Sequence, residues 1–310
     1  MSENASESSP PRARQHWSER HAATAAPVYA AVYVAISFAG ARLAALRLPI
    51  AAAALVPLLT WVGILLSSLF LVLSISRLKL SVRVDLAWMV CTLVLFLLAR
   101  PRILEIAAKA LGHGAQGKRI ADMLSLFPGQ QVIANIALIL WAIFLGRLVS
   151  RVIREGKLLL PVAAVASIAD IITVFYGAVR HMSEKAPAVV EAFSAQTPVA
   201  APPSVPVPIL TFIGIGDFLF LAVFMTILAR YAMNPVKATW AAFAAMLVAP
   251  VPFMVWQGLL GMPGLPFISA AVLATNWRYL RFTREEVRAL AFAAILVTAV
   301  AAAAWIILRH

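Results

Sequence analysis

The sequence predicts an all-α, polytopic membrane protein with about nine transmembrane helices, and three observations support this. Hydrophobic residues make up 63% of the 310 positions, and the mean hydropathy is +0.91. The apolar residues are grouped in runs close to the length of about 20 residues that a helix needs to cross a bilayer. Lysine and arginine, which give a net charge of +13, lie almost wholly between these runs. A soluble core does not need so much apolar sequence, so the lipid bilayer is the first predicted partner.

The elements follow one another with short connections. Residues 1–22 are polar, and the first apolar run begins too late for a cleavable signal peptide, so a disordered cytoplasmic tail is expected there. The amphipathic segment 101–113 is predicted either to lie along the membrane interface or to complete a tenth, distorted span. The predicted helices are 24–41, 50–75, 84–99, 132–149, 157–178, 208–230, 236–258, 263–279 and 287–308.

Two regions of the membrane-embedded chain differ in their motifs. Residues 23–156 are predicted to form N-terminal transmembrane helices, and residues 157–310 form a transmembrane region that carries the candidate catalytic groups. The second region contains a loop at 181–208 with six prolines, which forbid a continuous helix. This loop is predicted either to be flexible or to act as a gate that donates a strand, because it joins the two helices that carry aspartates.

Charge and cysteine content exclude several classes of protein. The basic residues do not form a folded face with aromatic residues, so no nucleic-acid partner is expected. Cys91 is the only cysteine, which excludes an intramolecular disulfide. The basic clusters at 147–157 and 278–288 predict that these loops are cytoplasmic. The composition is typical of bacteria, which favours the inner membrane, and it does not indicate an oligomeric state.

Two aspartates, Asp170 and Asp217, lie well inside the predicted spans. A carboxylate at bilayer depth costs roughly 2.5–3.5 kcal/mol on insertion scales, so such residues are usually functional. The predicted helix ends place both aspartates about 12–14 Å below the same membrane face. Because consecutive helices are antiparallel, the two carboxyl groups are expected to meet. The competing interpretations are a pair of helix-packing hydrogen bonds or one ion-binding site.

A pair of carboxylates that meet in a low-dielectric site holds one proton between them. The ionised member then takes a proton from water, and the protonated member donates one to the scissile carbonyl. The histidines lie in the tail, in loops or at the terminus, so serine–histidine or cysteine–histidine chemistry is not expected. The aspartates lack further ligands at membrane depth, so neither a metal nor another cofactor is expected. The pair therefore predicts peptide hydrolysis, with the acid and base roles unassigned.

Glycines and prolines accompany the aspartates. Gly214 is three residues before Asp217 on the same helical face, where it is predicted to let a partner backbone approach closely, and Gly216 lowers helix propensity. Pro263 and Gly264, with Leu265, prevent a regular helix start. Exposed backbone groups at membrane depth must be buried in protein or line a cavity. This segment is therefore predicted to form a wall of the active site, the alternative being an ordinary proline turn.

These motifs resemble those of the presenilin and signal peptide peptidase family of intramembrane aspartyl proteases. The tetrapeptide Gly214-Ile215-Gly216-Asp217 resembles the family's GxGD helix, and the helix of Asp170 is similar to the preceding aspartate helix. Pro263-Gly264-Leu265 lies in the place of the family's Pro-Ala-Leu motif. The resemblance covers about 157–280, and Ala169 and Gly264 depart from the usual tyrosine and alanine.

The resemblance implies a presenilin-like helical bundle and an intramembrane-cleaving aspartyl endopeptidase. Its catalytic pair would be Asp170 and Asp217. The residues it implies for substrate binding are Gly214, Gly216, Pro263, Gly264 and Leu265. The substrates would be transmembrane segments of membrane proteins or signal peptides, unwound locally into a strand. The alternatives are an ion-coupled transporter, which also uses intramembrane carboxylates on broken helices, and a catalytically silent scaffold.

Overall fold

The structure is a computed structural model and consists mainly of long helices. It describes residues 12–44, 49–100, 103, 108–109, 112, 119, 129–176, 194–196, 212–249, 263–280 and 282–288. The helices are α1 (Arg12–Ala44), α2 (Ile50–Ser76), α3 (Val82–Ala99), α4 (Gln130–Ser150), α5 (Leu159–Tyr176), α6 (Ile215–Arg230), α7 (Pro235–Val248) and α8 (Leu265–Asn276). Two strands, β1 (Ser194–Gln196) and β2 (Phe212–Gly214), pair in antiparallel register with Ser194 opposite Gly214.

Among the residues that the structure describes, five helical segments are long and apolar enough to cross a membrane. They are His21–Leu43, Leu55–Ser76, Val82–Ala99, Gln130–Ser150 and Gly156–Val174. Two of them present large apolar side chains outward, with Trp88 on α3 and Val165 on α5 each 51% or more exposed. An outward apolar surface of this kind suits lipid rather than water, so the protein is a multi-pass membrane protein.

Three predicted boundaries differ from the structure. α1 begins at Arg12, so residues 12–22, predicted to be part of a disordered tail, continue the first apolar helix. α6 begins at Ile215 rather than at 208, because residues 212–214 form β2. The last helix, predicted from 287, is already helical at residues 284–288. Of the predicted segments, residues 1–11, most of 101–113, and residues 181–193, 197–208, 250–258 and 289–308 lie outside the described residues.

The last helix starts with a capping box, which explains its earlier beginning. The backbone N–H of Thr283 donates to Glu286 Oε2 at 2.7 Å, and the backbone N–H of Glu286 donates to Thr283 Oγ1 at 3.3 Å. Reciprocal bonds of this kind satisfy two donors that the first helical turn leaves unpaired. Lys157, just before α5, also donates to Glu286 Oε1 at 2.8 Å. These contacts lower the pKa of the Glu286 carboxyl below its ordinary value, chiefly through the Lys157 hydrogen bond.

The connections at 77–81, 151–158, 231–234, 277–280 and 282–283 lie at one end of the bundle, which we name the basic end. Arg230 at the end of α6 donates to the Ser150 carbonyl at the end of α4, at 2.9 Å. The backbone N–H of Asn234 donates to Asn276 Oδ1 at 2.9 Å, which joins α7 to α8. The helices therefore alternate in direction, with α4 and α6 both running towards the basic end.

The middle of α6 is buried where it meets α2 and α4. Residues 221–228 of α6 are all buried, and they pack with side chains such as Leu65 of α2 and Ile143 of α4. Lipid tails are as apolar as these side chains, so close van der Waals contact rather than escape from water holds such helices together. α6, the helix that carries Asp217, is thus largely enclosed by its neighbours.

Candidate active site

Asp170 lies in the last third of α5 and contacts the start of α8. Its Oδ2 accepts a hydrogen bond from the backbone N–H of Leu265 at 3.0 Å. Leu265 is the first residue of α8, where backbone donors have no partner within the helix, and the next residue, Pro266, has no N–H at all. Asp170 therefore caps α8 from a different helix, and the side chain is only partly buried.

Asp217 is the third residue of α6 and lies against Gly264. A β-carbon added at Gly264 would be 2.9 Å from Asp217 Oδ1, 3.1 Å from Oδ2 and 3.2 Å from Cγ. Real β-carbons almost never come closer than about 3.0 Å to another heavy atom, so a side chain at 264 would displace the carboxylate. The backbone of Gly264 thus forms one side of the space that holds Asp217.

The two carboxylates meet at the dipeptide Gly264-Leu265. Asp170 is bonded to the Leu265 amide, the Gly264 amide also faces it, and Asp217 touches Gly264. Asp170 is close enough to Asp217 for their charges to repel. Both face the N-terminus of α8, where the aligned peptide dipoles stabilise a negative charge. Such a pair holds one proton more easily than none, which is the arrangement that acid–base catalysis on one substrate needs.

The depths of the two aspartates match when they are measured from the basic end. Asp170 follows Lys157 by 13 residues (170 − 157), and Asp217 precedes Arg230 by 13 residues (230 − 217). At 1.5 Å per residue, both lie about 20 Å from that end. The prediction counted depth along a helix that starts at 208, and that start was wrong, because α6 starts at Ile215 and Asp217 lies in its first turn.

Among the described residues, neither Gly214 nor Gly216 makes the close packing that the sequence predicts for Gly214. Within that part of the chain, a β-carbon at Gly216 would meet nothing within 4 Å, and one at Gly214 would meet only Asp217 Oδ2, at an ordinary 3.5 Å. Gly214 ends β2 and precedes α6 with extended backbone angles, φ −63° and ψ 137°. The close approach that the Asp217 region requires comes instead from Gly264. Pro263 is buried beside it and Leu265 begins α8.

The short hairpin lies next to Asp217. β2 runs directly into α6, so a strand ends three residues before the carboxylate. Its partner β1 comes from the proline-rich loop and lies beside α4. Of the two interpretations of the 181–208 loop, the described residues 194–196 have the strand conformation that a strand-donating segment requires.

A third buried carboxylate, Asp85, was missed because it lies at the end of a predicted span. Asp85 Oδ1 accepts a hydrogen bond from Arg147 Nε at 2.9 Å, and Oδ2 pairs with Arg151. Arg147 also donates to the carbonyls of Ile75 at 2.6 Å and Leu78 at 2.9 Å. These contacts join the ends of α2, α3 and α4 at the basic end, away from the aspartate pair. Ser81 as N-cap, followed by Asp85 in the first turn, is the sequence signal for a fixed helix start.

No group of three or more histidine, cysteine, aspartate or glutamate side chains comes together as metal ligands within the described part of the chain. No protein-family model, curated protein or solved structure matches the chain. The function therefore has to be argued from the aspartate pair and its surroundings.

Proposed function

We propose that this protein is an intramembrane-cleaving aspartyl endopeptidase in which Asp170 and Asp217 share the acid and base roles. The observation that supports it most directly is the meeting of the two carboxylates at Gly264-Leu265. Helix-packing hydrogen bonds would need one partner for each aspartate. Here two carboxylates from different helices face the same backbone and repel each other, which favours a shared proton over two independent bonds.

In the proposed reaction, one carboxylate takes a proton from water while the other donates a proton to the carbonyl oxygen of the scissile bond. The hydroxide formed attacks the carbonyl carbon and gives a gem-diol. The gem-diol then returns one hydroxyl proton to the carboxylate that had donated, the other carboxyl passes the proton taken from water to the amine nitrogen, and the C–N bond breaks, so the pair again holds one proton. The N-terminus of α8 stabilises the negative charge of the pair throughout. No metal or organic cofactor takes part in this chemistry.

The proposed substrate is a transmembrane segment of another protein, or a signal peptide, that unwinds locally. Its freed N–H and C=O groups need partners within the bilayer, and strand pairing with β2 or with the Pro263 segment would provide them. The residues proposed to contact it are Gly214, Gly216, Pro263, Gly264 and Leu265. Gly214 is exposed, and neither it nor Gly216 carries a side chain that would obstruct a strand.

The proposal extends to a presenilin-like bundle of about nine spans, in the inner membrane of a bacterium with the basic end in the cytoplasm. The pair, about 20 Å from that end, would lie nearer the outer face. Substrates whose N-terminus is cytoplasmic would then present the correct strand direction. The exposed basic residues at this end include Lys79, Arg83, Arg154, Lys237, Arg278 and Arg284.

The test is incubation of the purified protein in detergent with single-span substrates, with fragments identified by mass spectrometry. Asp170→Asn and Asp217→Asn should each abolish cleavage, and the double variant should lose no more than either one, because the groups act as a unit. Glu155→Gln, a matched change at an exposed carboxylate of the basic end, should cleave normally. The rate should follow a bell-shaped pH profile, since activity needs one proton on the pair.

Near wild-type cleavage by either aspartate variant would contradict the mechanism. An ion-coupled transporter would instead move ions across liposomes in a manner that depends on both aspartates, with no fragments formed.

A further inference from the structure

The contact between α4 and α6 has a geometry that only glycine permits. A β-carbon added at Gly146 would lie 2.5 Å from the carbonyl oxygen of Leu219, 2.9 Å from Ala222 Cβ and 3.2 Å from the backbone nitrogen of Val223. The nearest of these atoms belongs to backbone and has no rotamer by which to move away. Leu219 follows Asp217 by two residues on the same helix, so a displacement there moves the start of α6.

The same two helices are joined again at the basic end. Arg230 Nη1 donates to the carbonyls of Ser150 at 2.9 Å and Ile153 at 3.3 Å. The last carbonyls of a helix have no partner within it, so these bonds satisfy the end of α4 with a side chain from α6. α6 is therefore held to α4 at both the Gly146 contact and its C-terminal end.

α4 is itself fixed to the rest of the bundle by the residue next to Gly146. Arg147 is 3% exposed and donates to Asp85 and to the Ile75 and Leu78 carbonyls. Residues 146 and 147 thus link the Asp217 helix to α2 and α3. The Asp170 helix is supported differently, because α5 makes its main helix contacts with α8.

We infer that Gly146 is a positioning residue that sets where Asp217 stands relative to Gly264 and Asp170. The inference rests on the proposed function for its catalytic consequence, whereas the geometry can be measured without any cleavage. Gly146 is remote from the reacting groups and acts only through the backbone of α6.

The geometric probe is a pair of cysteines, Asp217→Cys and Gly264→Cys, in a Cys91→Ala background. The Gly264 β-carbon position lies 3.2 Å from Asp217 Cγ, which is one bond from the Asp217 β-carbon. The two β-carbons are therefore about 3.2–4.7 Å apart, an interval that contains the roughly 3.5–4.5 Å that a disulfide needs. This pair should oxidise readily when Gly146 is present. Adding Gly146→Ala should slow disulfide formation at least about tenfold, because the bond tolerates little displacement.

The matched control is Gly63→Ala on α2, which also adds a β-carbon at a helix contact. There the nearest atom is the flexible end of the Ile36 side chain, at 3.0 Å, and not backbone. This control should form the disulfide at the rate of the parent pair. If Gly146→Ala does not yield folded protein, Arg230→Gln tests the other attachment of α6 and should slow disulfide formation while Gly63→Ala does not.

With the aspartates intact, Gly146→Ala should lower kcat at least about tenfold with little change in KM, because a displacement of about 1 Å costs about a hundredfold in rate. Parental rates of disulfide formation in Gly146→Ala, or in Arg230→Gln if that is the variant measured, would overturn the inference. So would failure of the parent pair to cross-link. If Gly146→Ala slows cross-linking but the wild-type protein cleaves no substrate, the positioning role stands and the proposed function fails.

Discussion

Three glycines near Asp217 allow a graded test of the proposed site, because the structure gives each a different distance to its surroundings. An added β-carbon would approach the Asp217 carboxylate to 2.9 Å at Gly264 and to 3.5 Å at Gly214, and at Gly216 it would meet none of the described residues within 4 Å. The perturbation is therefore the same single methyl group at three positions. Gly264→Ala is predicted to slow the chemical step most, and Gly214→Ala and Gly216→Ala are predicted to slow it far less.

The magnitude follows from the displacement that each methyl group imposes. Ordinary contacts begin at 3.4 Å, so Gly264→Ala must move the carboxylate by about 0.5 Å (3.4 − 2.9). Misplacement by 1 Å costs about a hundredfold in rate, so half of that costs about tenfold in kcat, or about 1.4 kcal/mol in the barrier. Gly214→Ala and Gly216→Ala should change kcat less than about twofold and act on KM, because they narrow the proposed substrate path without moving Asp217.

The assay is steady-state cleavage of one single-span substrate in detergent, with kcat and KM measured separately for the three variants. Thermal unfolding provides the folding control, and Gly216→Ala should be at least as stable as wild type, since alanine favours a helix over glycine. Wild-type kcat for Gly264→Ala, or a larger loss of kcat for Gly216→Ala, would refute the placement of Asp217 against Gly264.

Three further predictions concern the basic end. Asp85→Ala should lower the free energy of unfolding by about 3–5 kcal/mol, because it leaves the buried Arg147 without its carboxylate. Lys157→Gln, which removes the partly exposed ion pair with Glu286, should have no measurable effect on thermal unfolding. Glu286→Gln should weaken hydrogen-exchange protection of the last helix at neutral pH. The hydrogen-exchange protection of wild type and of this variant should become equal in acid, because the stabilising charge of Glu286 is lost as the pH falls through its lowered pKa. The orientation can be tested with single cysteines in a Cys91→Ala background and a membrane-impermeant thiol reagent. Val152→Cys at the basic end should react only after lysis, and Gln131→Cys at the opposite end of α4 should react in intact cells. The reverse pattern would invert the proposed orientation.

Much of the helical architecture follows from sequence, because length and apolarity decide it locally. The predicted limits 50–75 and 132–149 lie within two residues of α2 and α4. The start of α6 was not predictable in this way, since the apolar residues 208–214 suit a strand or a helix equally well. The pairing partner β1 is distant in sequence, and it decides the conformation.

The candidate site could be predicted in part. Asp170, Asp217 and Gly264 stand out as polar, helix-breaking or flexible residues in apolar runs, and the structure brings them together. Which glycine supports close contact depends on tertiary approach, and sequence reasoning chose Gly214 rather than Gly264. Gly146 was missed, although Ala142 four residues earlier gives the small-residue spacing that often marks a close helix contact.

Arg147 belongs to one of the basic clusters from which the orientation was predicted, yet in the folded protein it is buried against Asp85. A positive charge biases topology while a segment is being inserted, before the bundle has packed. In the proposed orientation, the same guanidinium would have two successive tasks during biogenesis: it would retain the end of α4 on the cytoplasmic side, and afterwards it fastens that end to α2 and α3. Neutral substitutions at this position should therefore disturb both insertion and assembly, and a pulse-chase experiment would separate the two by time.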